Sequence, residues 1–181
     1  MMYELPKSAE IGGKMYEIRS DYRACLDILT CLTDPELSGE EHTIVALSIF
    51  YPDMVEIPNR DLQTAVDYMV WFLNCGDEND NRKRPKLMDW EQDFQYIVSP
   101  INRAVGYEIR SVEYLHWWTF ISAYYEIGDC LFAQIVRIRS LKAKGKKIDK
   151  ADQEFYEENK RLIDIKAKYS AADDEIINQW I

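Results

Sequence analysis

The chain has no apolar run long enough to cross a bilayer. Its hydrophobic residues come in short stretches broken by charges, well below the roughly 20 residues a spanning helix requires. No basic start followed by an apolar stretch opens it, so export is not expected. Histidine is scarce, with two in 181 residues, and the four cysteines (Cys25, Cys31, Cys75, Cys130) form no C-x-x-C pair. A zinc site wants tighter ligand spacing, so reduced, buried thiols in a cytosolic compartment are expected instead. Positive charge is in deficit. Against 32 Asp and Glu stand 22 Lys and Arg, a net charge of −10 that repels a phosphate backbone and argues against nucleic acid as a main partner.

Catalytic signatures are missing too. There is no Gly-x-Ser-x-Gly elbow, and Gly12-Gly13-Lys14 lacks both the first glycine of a phosphate loop and the hydroxyl residue after the lysine. Glu113 and His116 are spaced i, i+3, as on one face of a helix in di-iron bundles, but such sites use two pairs. Gly39 denies His42 the second one. Between Leu115 and Trp117, His116 reads more readily as a hydrogen-bonded packing residue. No catalytic, cofactor-binding or metal residue is assigned, and a chain that works by binding other proteins is expected.

What is present is material for a core. Apolar residues make up 47% of the chain, too many for a disordered segment. Ala9–Ile11 and Lys14–Ile18 flank Gly12-Gly13 and predict a β-hairpin. A first helix, capped by Asp21 or Ser20, is predicted to end before Asp34-Pro35, with Tyr22, Cys25, Leu26, Leu29 and Leu32 in a stripe. Ser38 and Glu41 form a capping box for a second, ending at Pro52. A third presents Leu62, Ala65, Val66, Met69, Val70 and Leu73, with Gly76 at the C-terminal cap. Gly76–Lys86 holds no apolar residue and predicts a mobile loop. Asp89 caps a helix carrying Trp90, Phe94, Ile97, Ile101 and Val105, and Pro100 predicts a kink or break near Ser99. Ser111 is placed to cap an aromatic helix from Val112 to about Ile127. In it, one of Trp117 and Trp118 is expected inward and the other partly exposed, as core anchor or as binding hot spot. Asp129 caps a helix with Leu131, Ile135, Ile138 and Leu141, which Gly145 ends. The seven cations from Arg137 to Lys150 predict a solvated helix end and loop. From Asp149 to Tyr169 a long charged helix shows a narrow stripe of Phe155, Leu162, Ile165 and Tyr169. The tail AADDEIINQWI is acidic, then apolar. The expectation is a mainly α, compact multi-helix domain over residues 1–148 with a short N-terminal β-hairpin. The long charged C-terminal helix and tail, 149–181, pack on it or extend from it.

Several segments carry a resemblance: Leu5-Pro6, Ile11-Gly12-Gly13 with Tyr16-Glu17-Ile18, Ser20-Asp21-Tyr22-Arg23, Trp71-Phe72-Leu73, and Met88-Asp89-Trp90 with Asp93. Tyr114-Leu115-His116-Trp117-Trp118-Thr119-Phe120 and Ile135-Val136-Arg137-Ile138-Arg139 complete the series. In order and spacing the chain resembles, over roughly residues 5–169, the bacteriophage "gene product fifteen" family of tailed phages and prophages. It departs where the family tends to have Ala-Phe and then Tyr-Gly-Ile-Asp-Leu, with Pro100-Ile101 and Val105-Gly106-Tyr107-Glu108-Ile109 instead. The resemblance implies a protein encoded beside the tape measure gene, in the position of tail assembly chaperones. Such a protein acts in the cytoplasm of the bacterial host, binds the tape measure protein and recruits tail tube subunits. A structural minor tail or connector protein retained in the virion is the alternative. Partner or self contacts are expected at Trp117, Phe155, Leu162, Tyr169, Ile176, Ile177 and Trp180, unless these fold back on the core.

Overall fold

A computed structural model of the chain describes residues 4–77 and 85–166. The described residues are mostly helical with one two-stranded hairpin. They form two compact units: 4–77 with 114–121, and 85–113 with 122–166. Among them, no helix is long and apolar enough to cross a membrane.

The first unit begins with β1 (Ser8–Ile11) and β2 (Lys14–Glu17), antiparallel with Ile11 opposite Lys14. Gly12 and Gly13 both take positive φ, 58° and 80°, the geometry that matches a tight hairpin to strand twist. A Cβ on Gly12 would also lie 2.9 Å from Asp61 Oδ2. Ala9, Ile11, Tyr16 and Ile18 are buried. Helix α1 (Tyr22–Cys31) is capped by Asp21, and α2 (Gly39–Phe50) by the reciprocal Ser38–Glu41 box. Arg19 donates to the Ser48 and Ile49 carbonyls at 2.9 and 2.7 Å, occupying acceptors that the end of α2 leaves open.

Helix α3 (Leu62–Leu73) buries Ala65, Met69 and Phe72, a narrower face than the expected one. Its C-terminus closes with Cys75, not Gly76, as the first left-handed residue (φ 56°). The Cys75 N–H reaches the Phe72 carbonyl, and that of Gly76 reaches the Trp71 carbonyl, the paired bonds of a Schellman motif. Residues 78–84 of the expected loop lie outside the described residues.

The aromatic helix starts later than expected. In place of helix from Val112, a short 3-10 turn at Ile109–Ser111 is followed by non-helical chain, and α5 covers Trp117–Tyr125. A long-range pairing wins over local propensity. Tyr22 N–H donates to the Leu115 carbonyl, Trp117 N–H to the Ser20 carbonyl, and Leu115 N–H to Asp21 Oδ2 at 2.9 Å. His116 caps the new start, Nδ1 accepting the Trp118 N–H at 3.0 Å while Nε2 donates to the Pro6 carbonyl at 2.9 Å. Through Ile121, α5 belongs to the first unit, and from Ser122 to the second. Trp117 is fully buried and Trp118 half-buried, as expected of the pair. Their indole N–H groups donate to the Leu73 and Phe72 carbonyls, both at 2.9 Å. Tyr22 stacks on Phe120 with ring centroids 4.8 Å apart.

In the second unit, α4 (Trp90–Val105) starts at an Asp89 cap and runs unbroken through Pro100, so of the expected kink or break the break is not there. A mid-helix proline costs roughly 3 kcal/mol, and both ends of α4 are held. Asp93 accepts the Asp89 N–H at 2.9 Å. Left-handed Gly106 closes the far end, where Asn102 binds Glu108 and the Ile109 N–H. Arg110 beside Glu108 holds that carboxyl down to about 2. Helix α6 (Leu131–Ala143) is capped by Cys130 Sγ rather than Asp129. Where one long charged helix is expected, the described residues give α7 (Lys150–Glu158) and α8 (Lys160–Ile163), parted at Asn159. Asn159 bonds back to the Phe155 carbonyl through both its N–H and its side chain, and Arg139 draws the Leu162 and Ile163 carbonyls out of the helical ladder.

Arg139 is the correction to the solvated cation stretch. It is buried, with its guanidinium on the fully buried Asp93 carboxylate at 2.6 and 3.0 Å and on the carbonyls of Leu87, Leu162 and Ile163. Arg137 pairs with buried Asp152, and Lys142 lies 2.6 Å from Asp164. Removing one partner of a buried pair leaves an uncompensated charge, at about 3–5 kcal/mol. Arg139→Met should therefore destabilise the protein by that amount in urea unfolding, and adding Asp93→Asn should recover part of it. A single-variant loss below about 1 kcal/mol would contradict the pairing.

His116 sets a pH dependence. Burial pushes its pKa below the ordinary 6.5, with nearby Lys7 acting in the same sense and the Pro6 bond opposing. The folded state then binds fewer protons than the unfolded chain. Its contribution is full above 6.5 and lost as pH falls below 6.5 through the folded value. The urea midpoint should fall more steeply between pH 7.5 and 5.5 for wild type than for His116→Gln; parallel profiles would remove His116 as the cause.

Candidate functional site

In the second unit a cleft of about 510 Å³ opens along α6. Phe132, Val136 and Leu141 come from that helix, with Leu87, Tyr124 and Ile127 across from them. Helical spacing puts Phe132, Val136 and Ser140 along one flank. Tyr124 is fixed by its hydroxyl, 3.1 Å from Met88 Sδ, and by ring contacts with Trp90 and Phe132. Burial raises its pKa, so the phenol stays neutral. Tyr125 stands 77% exposed beside it.

The rim is basic, formed by Arg137, Lys144 and Lys146. Its shape follows from the end of α6. Gly145, at φ 61°, takes the left-handed position, so the Lys146 N–H returns to the Leu141 carbonyl and that of Gly145 to the Lys142 carbonyl. The turn thereby brings Lys146 back to the mouth of the cleft. Arg137 is neutralised by Asp152, whereas Lys144 and Lys146 make no ion pair to a described residue. An apolar floor with a cationic edge suits a segment that is apolar on one side and carries carboxylates.

A second cavity, about 880 Å³, lies in the first unit around Arg19, Ser20, Asp21, Arg23 and Tyr114. Several of its polar groups are engaged internally. Asp21 holds Arg23 and the Leu115 N–H, Ser20 Oγ shares a hydrogen bond with the Tyr114 hydroxyl at 2.8 Å, and Arg19 caps α2. Among the described residues no three His, Cys, Asp or Glu side chains converge as metal ligands. Glu113 and His116 do not share a helical face, because residues 112–116 are not helical, and both ring nitrogens of His116 have protein partners. Burial pushes the Cys25 thiol up and takes Cys75 to about 11, so neither is a ready nucleophile at neutral pH.

Of the positions expected to contact partners, Trp117 lies in the core of the first unit. Phe155 and Leu162 are half-buried against Ile135, Ile138 and Ile163 in the second. Tyr169, Ile176, Ile177 and Trp180 lie outside the described residues. The cleft residues Tyr124, Tyr125, Val136 and Lys144 did not emerge from the sequence as a group. Lys144 falls within the cation stretch expected to be a solvated helix end and loop.

Comparison with curated proteins and with solved structures returns no significant match. The sequence model of a family described as bacteriophage Gp15 protein does match, over residues 1–165, a span that contains every residue of the cleft. The chain belongs to the bacteriophage Gp15 protein family.

Proposed function

We propose that this bacteriophage protein is a non-enzymatic tail assembly chaperone that holds an amphipathic segment of the tape measure protein in the α6 cleft and recruits tail tube subunits. The cleft is the observation that carries the reading. Its floor is apolar and aromatic, and an exposed Tyr125 lies at its edge, the kind of surface where binding energy concentrates. A helix laid along it would bury its apolar face. The chain's net charge of −10 would keep many copies on one scaffold from coalescing. No step of this role calls for a nucleophile, a metal or a cofactor.

Co-expression with the tape measure protein of the same genome, followed by pull-down and light scattering, tests the reading. A soluble complex with many copies per tape measure chain is expected. Tyr125→Ala, at an exposed position, should weaken it about ten-fold without unfolding the protein, the size of a moderate hot spot, about 1.4 kcal/mol. Precipitation of the tape measure protein alone would defeat the reading. Recovery of the chain from purified virions by mass spectrometry would favour a minor tail or connector protein instead.

A further inference from the structure

The C-terminal sequence beyond the described residues, Asp173-Asp174-Glu175 followed by Ile176, Ile177 and Trp180, has the composition the cleft selects for. We infer that residues 171–181 of the chain dock in its own α6 cleft, with their carboxylates on Lys144 and Lys146 and their apolar side chains on the floor. Charge complementarity is the first support. Of the α6 cations, Arg137, Arg139 and Lys142 are neutralised by Asp152, Asp93 and Asp164. Lys144 and Lys146, with no ion pair to a described residue, stand at the mouth of the cleft.

Reach is the second. The described chain ends at Lys166, whose N–H is bonded to Gln92 Oε1 at 3.0 Å, just after Asp164 has met Lys142 on α6. Seven further residues lead to Asp173, enough to span about 23–25 Å when extended, which exceeds the roughly 20 Å length of α6. The third support is the tether itself. A link this short gives an effective concentration of order 1 mM, so even an intrinsic affinity near 0.1 mM would fill the cleft about ten to one. The inference rests on reading the cleft as a segment-binding site, but not on the tape measure protein as its other occupant. Any such partner would have to displace the tail.

Zero-length carbodiimide coupling of the full-length protein, read by peptide mass spectrometry, tests this with an internal control. Lys142 and Asp164, at 2.6 Å, must couple. Lys144 or Lys146 should couple to Asp173, Asp174 or Glu175 within a few-fold of the control yield. Trp180→Ala should cut the tail products at least five-fold while leaving the control unchanged. In an equal mixture of ordinary and nitrogen-15-labelled protein, the tail products should join residues of one isotope. Products of mixed isotope would make a second copy the occupant and overturn the inference. So would a control that forms without tail products, or a tail yield that Trp180→Ala does not move. Failure of co-expression with the tape measure protein would leave these couplings in place, and their absence would leave co-expression untouched.

Discussion

In the second unit, two stretches far apart in sequence, 87–93 and 162–163, converge on one guanidinium of α6. Arg139 has five N–H donors and makes five hydrogen bonds: two to the Asp93 carboxylate and one each to the carbonyls of Leu87, Leu162 and Ile163. Burying this pair strips water from both charges, which the mutual attraction offsets only when every remaining donor is satisfied. Here the geometry satisfies them. The same contact fixes the start of α4, since Asp93 also holds the Asp89 N–H, and fixes how α8 ends on α6. The wall of the cleft and the point where the chain leaves Lys166 both follow from it.

The first unit is organised by a related device, with side chains donating to backbone carbonyls elsewhere in the unit. Arg19 does so at the end of α2, Tyr51 at Ala65, His116 at Pro6, and the two indoles at the end of α3. A buried carbonyl left without a donor costs about 1–3 kcal/mol. These contacts therefore tie non-helical segments to helix ends without help from the hydrophobic packing of Phe50, Phe72 and Phe120 around them.

Local signals in the sequence specified the elements they govern. Gly12-Gly13 marked the hairpin, Ser38 and Glu41 the second helix, and Asp89 and Gly145 the limits of two others, because each acts within a few residues. Long-range competition was not legible. Nothing near Val112 announces that residues 114–117 will pair with 20–22, and nothing near Asn159 announces that Arg139 will take the carbonyls ahead of it. Pro100 is a strong local signal that does not end α4, whose two ends are anchored. The cleft was least legible, since it depends on how Tyr124, Leu87 and the turn after Gly145 meet. A trace of the buried pair was there: Asp93 falls in phase with Ile97 and Ile101, and Arg139 with Phe132 and Ile135, so each charge sits on an apolar stripe.

The two indole bonds leave a particular mark on how this sequence can drift. The donors are the side chains of Trp117 and Trp118, but the acceptors are the main-chain oxygens of Leu73 and Phe72, which every residue type supplies. The constraint is therefore one-sided. An exchange at position 73 keeps the acceptor, whereas most exchanges at position 117 or 118 lose the donor. Substitutions at the two ends of these contacts need not occur together, and a search for paired changes across related sequences would pass over one of the closest couplings in the molecule.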